Sequence, residues 1–120
     1  MKIYQYPGCS SCKSALRWLK SHDLSVEAVD IVADPPDEAT MRDLWVRSGL
    51  SLERLFNTSG QSYRSGGFKD RIKAMTEAEQ IAALAADGKL IKRPLLDTGG
   101  LVLVGFNAAS YAESLLEEGR

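Results

Sequence analysis

The feature that most constrains this chain is a pair of cysteines, Cys9 and Cys12, placed where a strand pattern changes into a helix pattern. Residues 1–6, MKIYQY, alternate apolar and polar side chains as a half-buried strand does, and Pro7-Gly8 interrupts that pattern. From Ala15 onward, apolar residues recur at helical spacing. The sequence therefore predicts a strand, a turn and a helix, with both cysteines at the junction.

The predicted helix covers residues 10–22, with Ser10 or Ser11 as its N-cap. Cys9 then lies at the N-terminus of the helix, where backbone N–H groups have no partner within the helix. These groups and the helix dipole favour a thiolate over a thiol. Cys9 is therefore the candidate nucleophile.

Cys12 lies three residues further along the chain, and helical residues three apart are about 5–6 Å from each other, within the range of a disulfide. Lys13 adds a positive charge beside the pair. A zinc site would need two more ligands, and the chain offers no third cysteine and one histidine, His22, at the far end of the helix. A disulfide closing so short a loop would be a weak structural crosslink. Redox or nucleophilic chemistry is the favoured interpretation.

The composition and net charge of the chain argue against several classes of function. The chain has 120 residues, 44% of them hydrophobic, which suits one domain over residues 1–120. The formal net charge of -1 argues against direct nucleic-acid binding or attraction to an anionic membrane. Because no leader pattern or apolar run of membrane-spanning length is present, we expect a cytoplasmic protein that does not enter membranes. Nothing in the composition requires more than a monomer.

Residues 25–31 alternate again and predict a second strand, so the first 31 residues form a right-handed β-α-β unit. A helical insertion over about residues 34–88 follows, with Gly49 and Gly88 as helix stops. Residues 57–67 are rich in turn formers and predict an exposed loop. The one cation of that loop, Arg64, is either solvated or a contact for an anion near the active site.

Two apolar runs, residues 89–96 and 101–106, flank a glycine-containing turn and predict a β-hairpin. Asn107 is a candidate N-cap for a last helix. The element order is β-α-β, a helical insertion, then β-β-α. This order predicts a thioredoxin-like α/β fold with a four-stranded mixed sheet.

Several separated motifs carry a resemblance to one family over essentially the whole chain: YPGCSSCK at the cysteines, PP at 35–36, LFNTSG at 55–60, LIKRPLL at 90–96 and VGF at 104–106. In this order they resemble the family that unites glutaredoxin-dependent arsenate reductases with the Spx-type redox regulators. The resemblance implies a thioredoxin-like fold with a helical insertion. It also implies that Cys9 is the reactive cysteine and that Pro94 is cis and faces it.

In the arsenate reductases of this family a thiolate attacks arsenic, arginines hold the oxyanion, and glutathione and glutaredoxin resolve the adduct. The resemblance therefore implies no bound cofactor and glutathione or glutaredoxin as the reductant. Arg93 matches one family arginine, whereas neutral Asn57 and Gly105 stand at the positions of the other two. Cys12 is a further difference, since these reductases lack a cysteine at its position, while Spx-type regulators carry both cysteines.

The predicted function is a thiol–disulfide oxidoreductase with arsenate as one candidate substrate, in which Cys9 attacks, Cys12 resolves the adduct and Arg93 stabilises negative charge. Candidate substrate-binding residues surround them: Ser10, Ser11, Lys13, Arg64 and Pro94. No metal site is predicted. One alternative is a Spx-type regulator that binds RNA polymerase and is switched by oxidation of the pair, and another is a glutathione-binding module with neither role.

Overall fold

The computed structural model describes residues 1–116. Its four-stranded sheet has the order β2-β1-β3-β4, in which β1 pairs parallel with β2 and antiparallel with β3, and β3 pairs antiparallel with β4. The strands are β1 (Lys2–Gln5), β2 (Glu27–Asp30), β3 (Leu95–Asp97) and β4 (Val102–Val104). The mixed sheet confirms the predicted fold class.

Helices cover both faces of this sheet. The α-helices are α1 (Ser10–Ser21), α2 (Glu38–Ser48), α3 (Gln61–Ser65), α4 (Phe68–Arg71), α5 (Glu77–Ala86) and α6 (Ala108–Leu115). Three short 3-10 turns lie at Leu52–Leu55, Ile72–Ala74 and Gly88–Leu90. The order β1-α1-β2, helices, then β3-β4-α6 is the predicted one, while the single domain over residues 1–120 stays a prediction. Within residues 1–116, no helix has the length and apolar character needed to cross a membrane.

The sheet separates two hydrophobic clusters. Neighbouring strand residues point to opposite faces, and Ile3 accordingly packs with α1 and α6 while Tyr4 packs with the helices between β2 and β3. Leu96 and Leu95 divide between the same two clusters. The chain therefore leaves the end of β1 between two packed layers, directly before the cysteines.

Capping residues mark the ends of α2, α5 and α6. The side chain of Asp37 accepts a backbone hydrogen bond at the start of α2, and Gly49 ends that helix with a φ of 71°. Thr76 and Glu79 form a reciprocal capping box at the start of α5. Asn107 caps α6 as predicted. Helix α5 ends at Ala86 with Asp87 as its C-cap, two residues before the predicted glycine stop.

The prediction of an exposed loop over residues 57–67 is wrong for its second half. Helix α3 lies there, and the side chain of Tyr63 is only 8% exposed. Its ring packs against Phe56 and Phe68, at centroid distances of 6.3 and 6.2 Å. Burial of one aromatic side chain orders a segment whose turn-forming residues indicated only a loop.

A charged contact ties α2 to the end of β3. Arg47 donates two hydrogen bonds to the Asp97 carboxylate, at 2.6 and 2.9 Å, and also binds Asp43 at 2.8 Å. The same guanidinium donates to the Gly100 carbonyl at 3.0 Å in the hairpin turn. Hydrogen bonding from Arg47 lowers the pKa of Asp97 to about 2. Ionised Asp97 therefore stabilises the folded chain.

Asp97→Asn is expected to reduce the free energy of unfolding at pH 7 by about 2 kcal/mol. The folded pKa of Asp97 lies below its unfolded value, so the contribution is present above about pH 4 and is lost as the pH falls toward 2. Urea denaturation at pH 7, 4 and 2.5 measures this. The exposed Asp70 provides the control, since Asp70→Asn should change stability by less than about 0.5 kcal/mol. Equal acid sensitivity in wild type and Asp97→Asn would contradict the assignment.

Candidate active site

Cys9 begins the first helix. Its backbone is extended, with φ -89° and ψ 119°, and its Sγ accepts the backbone N–H of Cys12 at 3.2 Å. The Cys9 N–H donates to the Tyr6 carbonyl at 3.0 Å, and its own carbonyl accepts from Lys13 N–H at 3.1 Å. The turn between β1 and α1 therefore holds the sulfur of Cys9 against an unpaired N–H of the helix N-terminus.

The predicted N-cap, Ser10 or Ser11, is wrong, because Cys9 itself is the N-cap. Helix α1 begins at Ser10, so both serines belong to its first turn and have exposed side chains. The cap is thus a sulfur and not a hydroxyl oxygen. This places the half-buried Cys9 thiol at the helix terminus, as the nucleophile prediction requires.

Cys12 lies behind Cys9 in the protein interior. Its side chain is fully buried, and both cysteines are free thiols. Burial, followed by a hydrogen bond with the Cys9 side chain, raises the pKa of Cys12 to about 12. A backbone hydrogen bond from Tyr6 and the charge of Arg93 act in the opposite direction. At neutral pH Cys12 is therefore a protonated thiol that contacts the more accessible Cys9.

The Arg93-Pro94 peptide bond is cis, as the resemblance implied. Pro94 is buried, and its carbonyl accepts the N–H of Gly105 at 2.8 Å. The guanidinium carbon of Arg93 lies 5.2 Å from the centre of the Tyr6 ring. Within residues 1–116, its buried Nε has no hydrogen-bond partner, while Nη1 donates to the Lys89 carbonyl at 3.4 Å. The fold thus brings Arg93 from a distant part of the sequence to the segment before the cysteines.

The other candidate residues divide into two groups. Ser10, Ser11 and Lys13 are exposed on the first turn of α1, beside Cys9. Arg64 is exposed on α3, and no hydrogen bond or ion pair within residues 1–116 joins it to the cysteines. The predicted contact of Arg64 with an anion stays a prediction.

The two neutral positions have structural roles of their own. Asn57 is half-buried, and its N–H donates to the Leu90 carbonyl at 2.8 Å. Gly105 has a φ of 77°, a conformation that side-chain-bearing residues rarely adopt. A Cβ at this glycine would lie 3.5 Å from Cε of Lys92. An arginine at residue 105 would therefore require a strained backbone, and the cation already present beside this position is Lys92.

Sequence reasoning did not single out two aromatic residues near the pair. Tyr6 supplies backbone contacts to both cysteines and a ring face to Arg93. Tyr111 lies on α6, and its hydroxyl is buried without a partner among the described residues. Burial raises the pKa of Tyr111, and the charge of Cys12 acts in the same direction. Tyr6 precedes the Pro7-Gly8 turn and begins the YPGCSSCK motif, whereas none of the motifs includes Tyr111.

Together the mixed sheet and the cysteine pair at the start of α1 define a thioredoxin-like protein with a Cys-x-x-Cys motif. The family model of the ArsC family matches residues 4–114. The chain therefore belongs to the ArsC family.

Several relatives match this chain over most of its length. YusI of Bacillus subtilis (strain 168) is 40% identical over 114 residues, covering 95% of this chain and 97% of YusI. A solved structure of an ArsC family related protein from Bacteroides fragilis has a TM-score of 0.90 at 39% identity and covers 93% of this chain and 94% of its own. A possible arsenate reductase from Streptococcus mutans UA159 has a TM-score of 0.82 at 41% identity, with coverages of 88% and 90%. More distant relatives are named arsenate reductase and Spx regulator.

Proposed function

We propose that this ArsC-family protein is a thiol–disulfide oxidoreductase in which Cys9 is the nucleophile and Cys12 the resolving thiol. The observation that carries the proposal is the asymmetry of the pair. Cys9 is half-buried and its Sγ accepts a helix N-terminal N–H at 3.2 Å, whereas Cys12 is fully buried and hydrogen-bonded to Cys9. The sulfur of Cys9 can therefore contact a substrate, whereas the sulfur of Cys12 lies behind it in the protein interior.

The proposed reaction has two steps. The Cys9 thiolate attacks one sulfur of a substrate disulfide, which forms a mixed disulfide and releases the other substrate sulfur as a thiolate. Cys12 then loses its proton to solvent and attacks Cys9 Sγ, which forms the Cys9–Cys12 disulfide and releases the second substrate thiolate. The substrate gains two electrons and the cysteine pair loses two. Glutathione or glutaredoxin then returns two electrons to the pair.

Arg93 is proposed to stabilise negative charge during these steps. Its Nε is buried without a partner in the described part of the chain, and its charge acts on Cys12. Ser10, Ser11 and Lys13 on the exposed first turn would contact the substrate, with Pro94 supporting the opposite side. An arsenate oxyanion would meet Arg93 in place of the three arginines of the reductases, and Lys92 is the nearest additional cation to Gly105.

The second step should depend steeply on pH. In the mixed disulfide the contributions of the Cys9 thiol are gone, but burial, the largest cause of the raised pKa of Cys12, remains, so only a small fraction of molecules carries the Cys12 thiolate at pH 7. That fraction rises about tenfold with each pH unit. We expect the rate of mixed-disulfide resolution, followed by release of the second substrate thiol, to rise with a slope near one between pH 7 and 9. A plateau below pH 8 would show that Cys12 ionises far more readily than its burial implies.

The decisive experiment compares two substrates with glutathione and glutaredoxin present. Arsenite production from arsenate that is lost in Arg93→Ala would identify an arsenate reductase. Reduction of a small aromatic disulfide without arsenite production would identify a disulfide oxidoreductase. Absence of both activities, in protein whose Cys9 is alkylated readily, would contradict the proposed enzyme. We place this activity in the cytoplasm, in a monomer.

A second candidate is a redox-switched regulator that binds RNA polymerase, which the presence of both cysteines and neutral Asn57 and Gly105 favours. Formation of a Cys9–Cys12 disulfide would remove the sulfur acceptor from the first turn of α1 and so alter the exposed surface at Ser10. Purified RNA polymerase should then bind the oxidised protein and not Cys9→Ser. Equal binding of both forms would exclude a switch at this pair.

A further inference from the structure

An apolar groove lies between the first helix and the start of the last one. It has a volume of about 400 Å³. Its lining residues are Ser14, Arg17, Trp18, Ser21, Phe106 and Ala108. Trp18 and Phe106 are half-buried, and both rings rest edge-on against Tyr111, with centroids 5.5 and 4.8 Å from it. Both rings thus rest on Tyr111, and the ring of exposed His22 stacks on Trp18 with centroids 4.0 Å apart. The parts of the two rings that remain exposed form a floor suited to one apolar side chain of a partner.

The rim of this groove is basic. Helix α1 contains Lys13, Arg17 and Lys20, all exposed, and no acidic residue. The chain carries no acidic residue before Asp23 and no charged residue from 98 to 112. None of the three cations forms an ion pair with any residue in the described range 1–116. Positive charge is therefore concentrated here in a chain whose formal net charge is -1.

The groove is also aligned with Cys9. Lys13 and Arg17 are four residues apart and face the same side of α1. At a rise of 1.5 Å per residue, Trp18 lies about 14 Å along the helix from the cysteine at its start. A partner surface spanning the groove and both cations would extend to the N-terminus of α1, where the half-buried Cys9 thiol lies.

We propose that this groove and the cations of α1 form a docking surface for an acidic protein segment with one apolar anchor side chain. Its use as the dock of the redox partner of Cys9 rests on the proposed function. Tryptophan and arginine are enriched among the residues that contribute most to protein–protein binding energy, and the formal net charge of -1 argues against a nucleic acid as the partner. Charge complementarity therefore selects carboxylates on a protein.

Two peptides test this surface. Each has twelve residues with a central leucine, flanked by glutamates in one and by glutamines in the other. We expect the glutamate peptide to bind at least about tenfold tighter at low ionic strength and to lose this advantage at 0.5 M salt. In amide-correlation NMR spectra the indole N–H of Trp18 should shift. The indole of Trp45, which donates to the Leu50 carbonyl at 2.9 Å, should remain unchanged and is an internal control.

Two double variants with the same change of net charge distinguish binding at this surface from an effect of the overall charge of the protein. Arg17→Glu combined with Lys20→Glu should remove the preference for the glutamate peptide. Lys69→Glu combined with Lys73→Glu makes the same change of net charge on exposed residues elsewhere and should retain it. Equal loss in both double variants, or equal affinity of wild type for both peptides, would overturn the proposal.

Two other occupants would also overturn it. A thymidine oligonucleotide that shifts the Trp18 resonance while the glutamate peptide does not would identify a nucleic-acid contact. A Trp18 shift on raising the protein concentration, without peptide, would identify a second copy of the chain. A peptide that binds as expected, but whose attached pyridyl disulfide never reacts with Cys9, would support the docking surface and refute the proposed thiol chemistry.

Discussion

Cys9→Ser should abolish thiol exchange, lowering the rate with an aromatic disulfide at least about a thousandfold. A serine hydroxyl does not ionise near neutral pH, so the attacking anion is lost. The fold should survive because serine is a favourable N-cap and its oxygen can accept the Cys12 N–H that Sγ accepts now. Initial rates of thiol release measure the effect, and thermal unfolding followed by circular dichroism confirms that the variant is folded.

Cys12→Ser is the matched control, since it makes the same atomic change three residues away. It should retain the first step and stop at the mixed disulfide, which intact-mass spectrometry would detect as one adduct per chain. A Cys12→Ser protein that loses the first step while Cys9→Ser retains it would reverse the assigned roles. Loss of the first step in both would show that the two sulfurs act as one unit.

Most of the fold is predictable from short stretches of sequence. The alternation in residues 1–6 and 25–31 predicts two strands, and Asn107 predicts the start of the last helix, which the structure confirms. Each of these signals acts between residues a few positions apart, so it is visible in a single sequence. The position of Cys9 at the junction of β1 and α1 follows from the same kind of signal.

The parts that escaped prediction depend on contacts between distant segments. Tyr63 orders α3 only because Phe56 and Phe68 are present to pack against it. The face of Tyr6 meets Arg93 only because β3 pairs with β1. Neither pairing leaves a periodic pattern in the sequence. The cysteines therefore follow from local sequence patterns and Arg93 from the family resemblance, whereas the contact of Arg93 with Tyr6 depends on the pairing of the strands.

Gly88 also depends on a contact between distant segments, and its substitution has the largest expected effect on the free energy of unfolding. The sequence offered this glycine as a helix stop, whereas in the structure it is buried at the start of the 3-10 turn Gly88–Leu90. A Cβ here would overlap the carbonyl oxygen of Ile31 and lie 2.7 Å from its carbonyl carbon and 2.9 Å from Cα of Val32. All three atoms belong to backbone, so no side-chain rotation relieves the overlap.

Gly88→Ala is accordingly expected to reduce the free energy of unfolding by about 3 kcal/mol or more, a large part of the total stability of a small domain. Gly100→Ala is the control, because a Cβ at Gly100 has no atom within 4 Å among the contacts of the described chain. It should change stability by less than about 0.5 kcal/mol. Urea denaturation of both variants checks this, and equal small effects would show that the Ile31 segment moves freely.

Gly88→Ala should also slow thiol exchange at the active site. Arg93 Nη1 donates to the carbonyl of Lys89, inside the turn that Gly88 begins, so displacement of this turn moves the partner of the guanidinium. Under conditions where Gly88→Ala is still folded, its thiol-exchange rate should fall toward that of Arg93→Ala, while Gly100→Ala keeps the wild-type rate. An unchanged rate in folded Gly88→Ala would mean that Arg93 is held by the ring of Tyr6 and not by the turn.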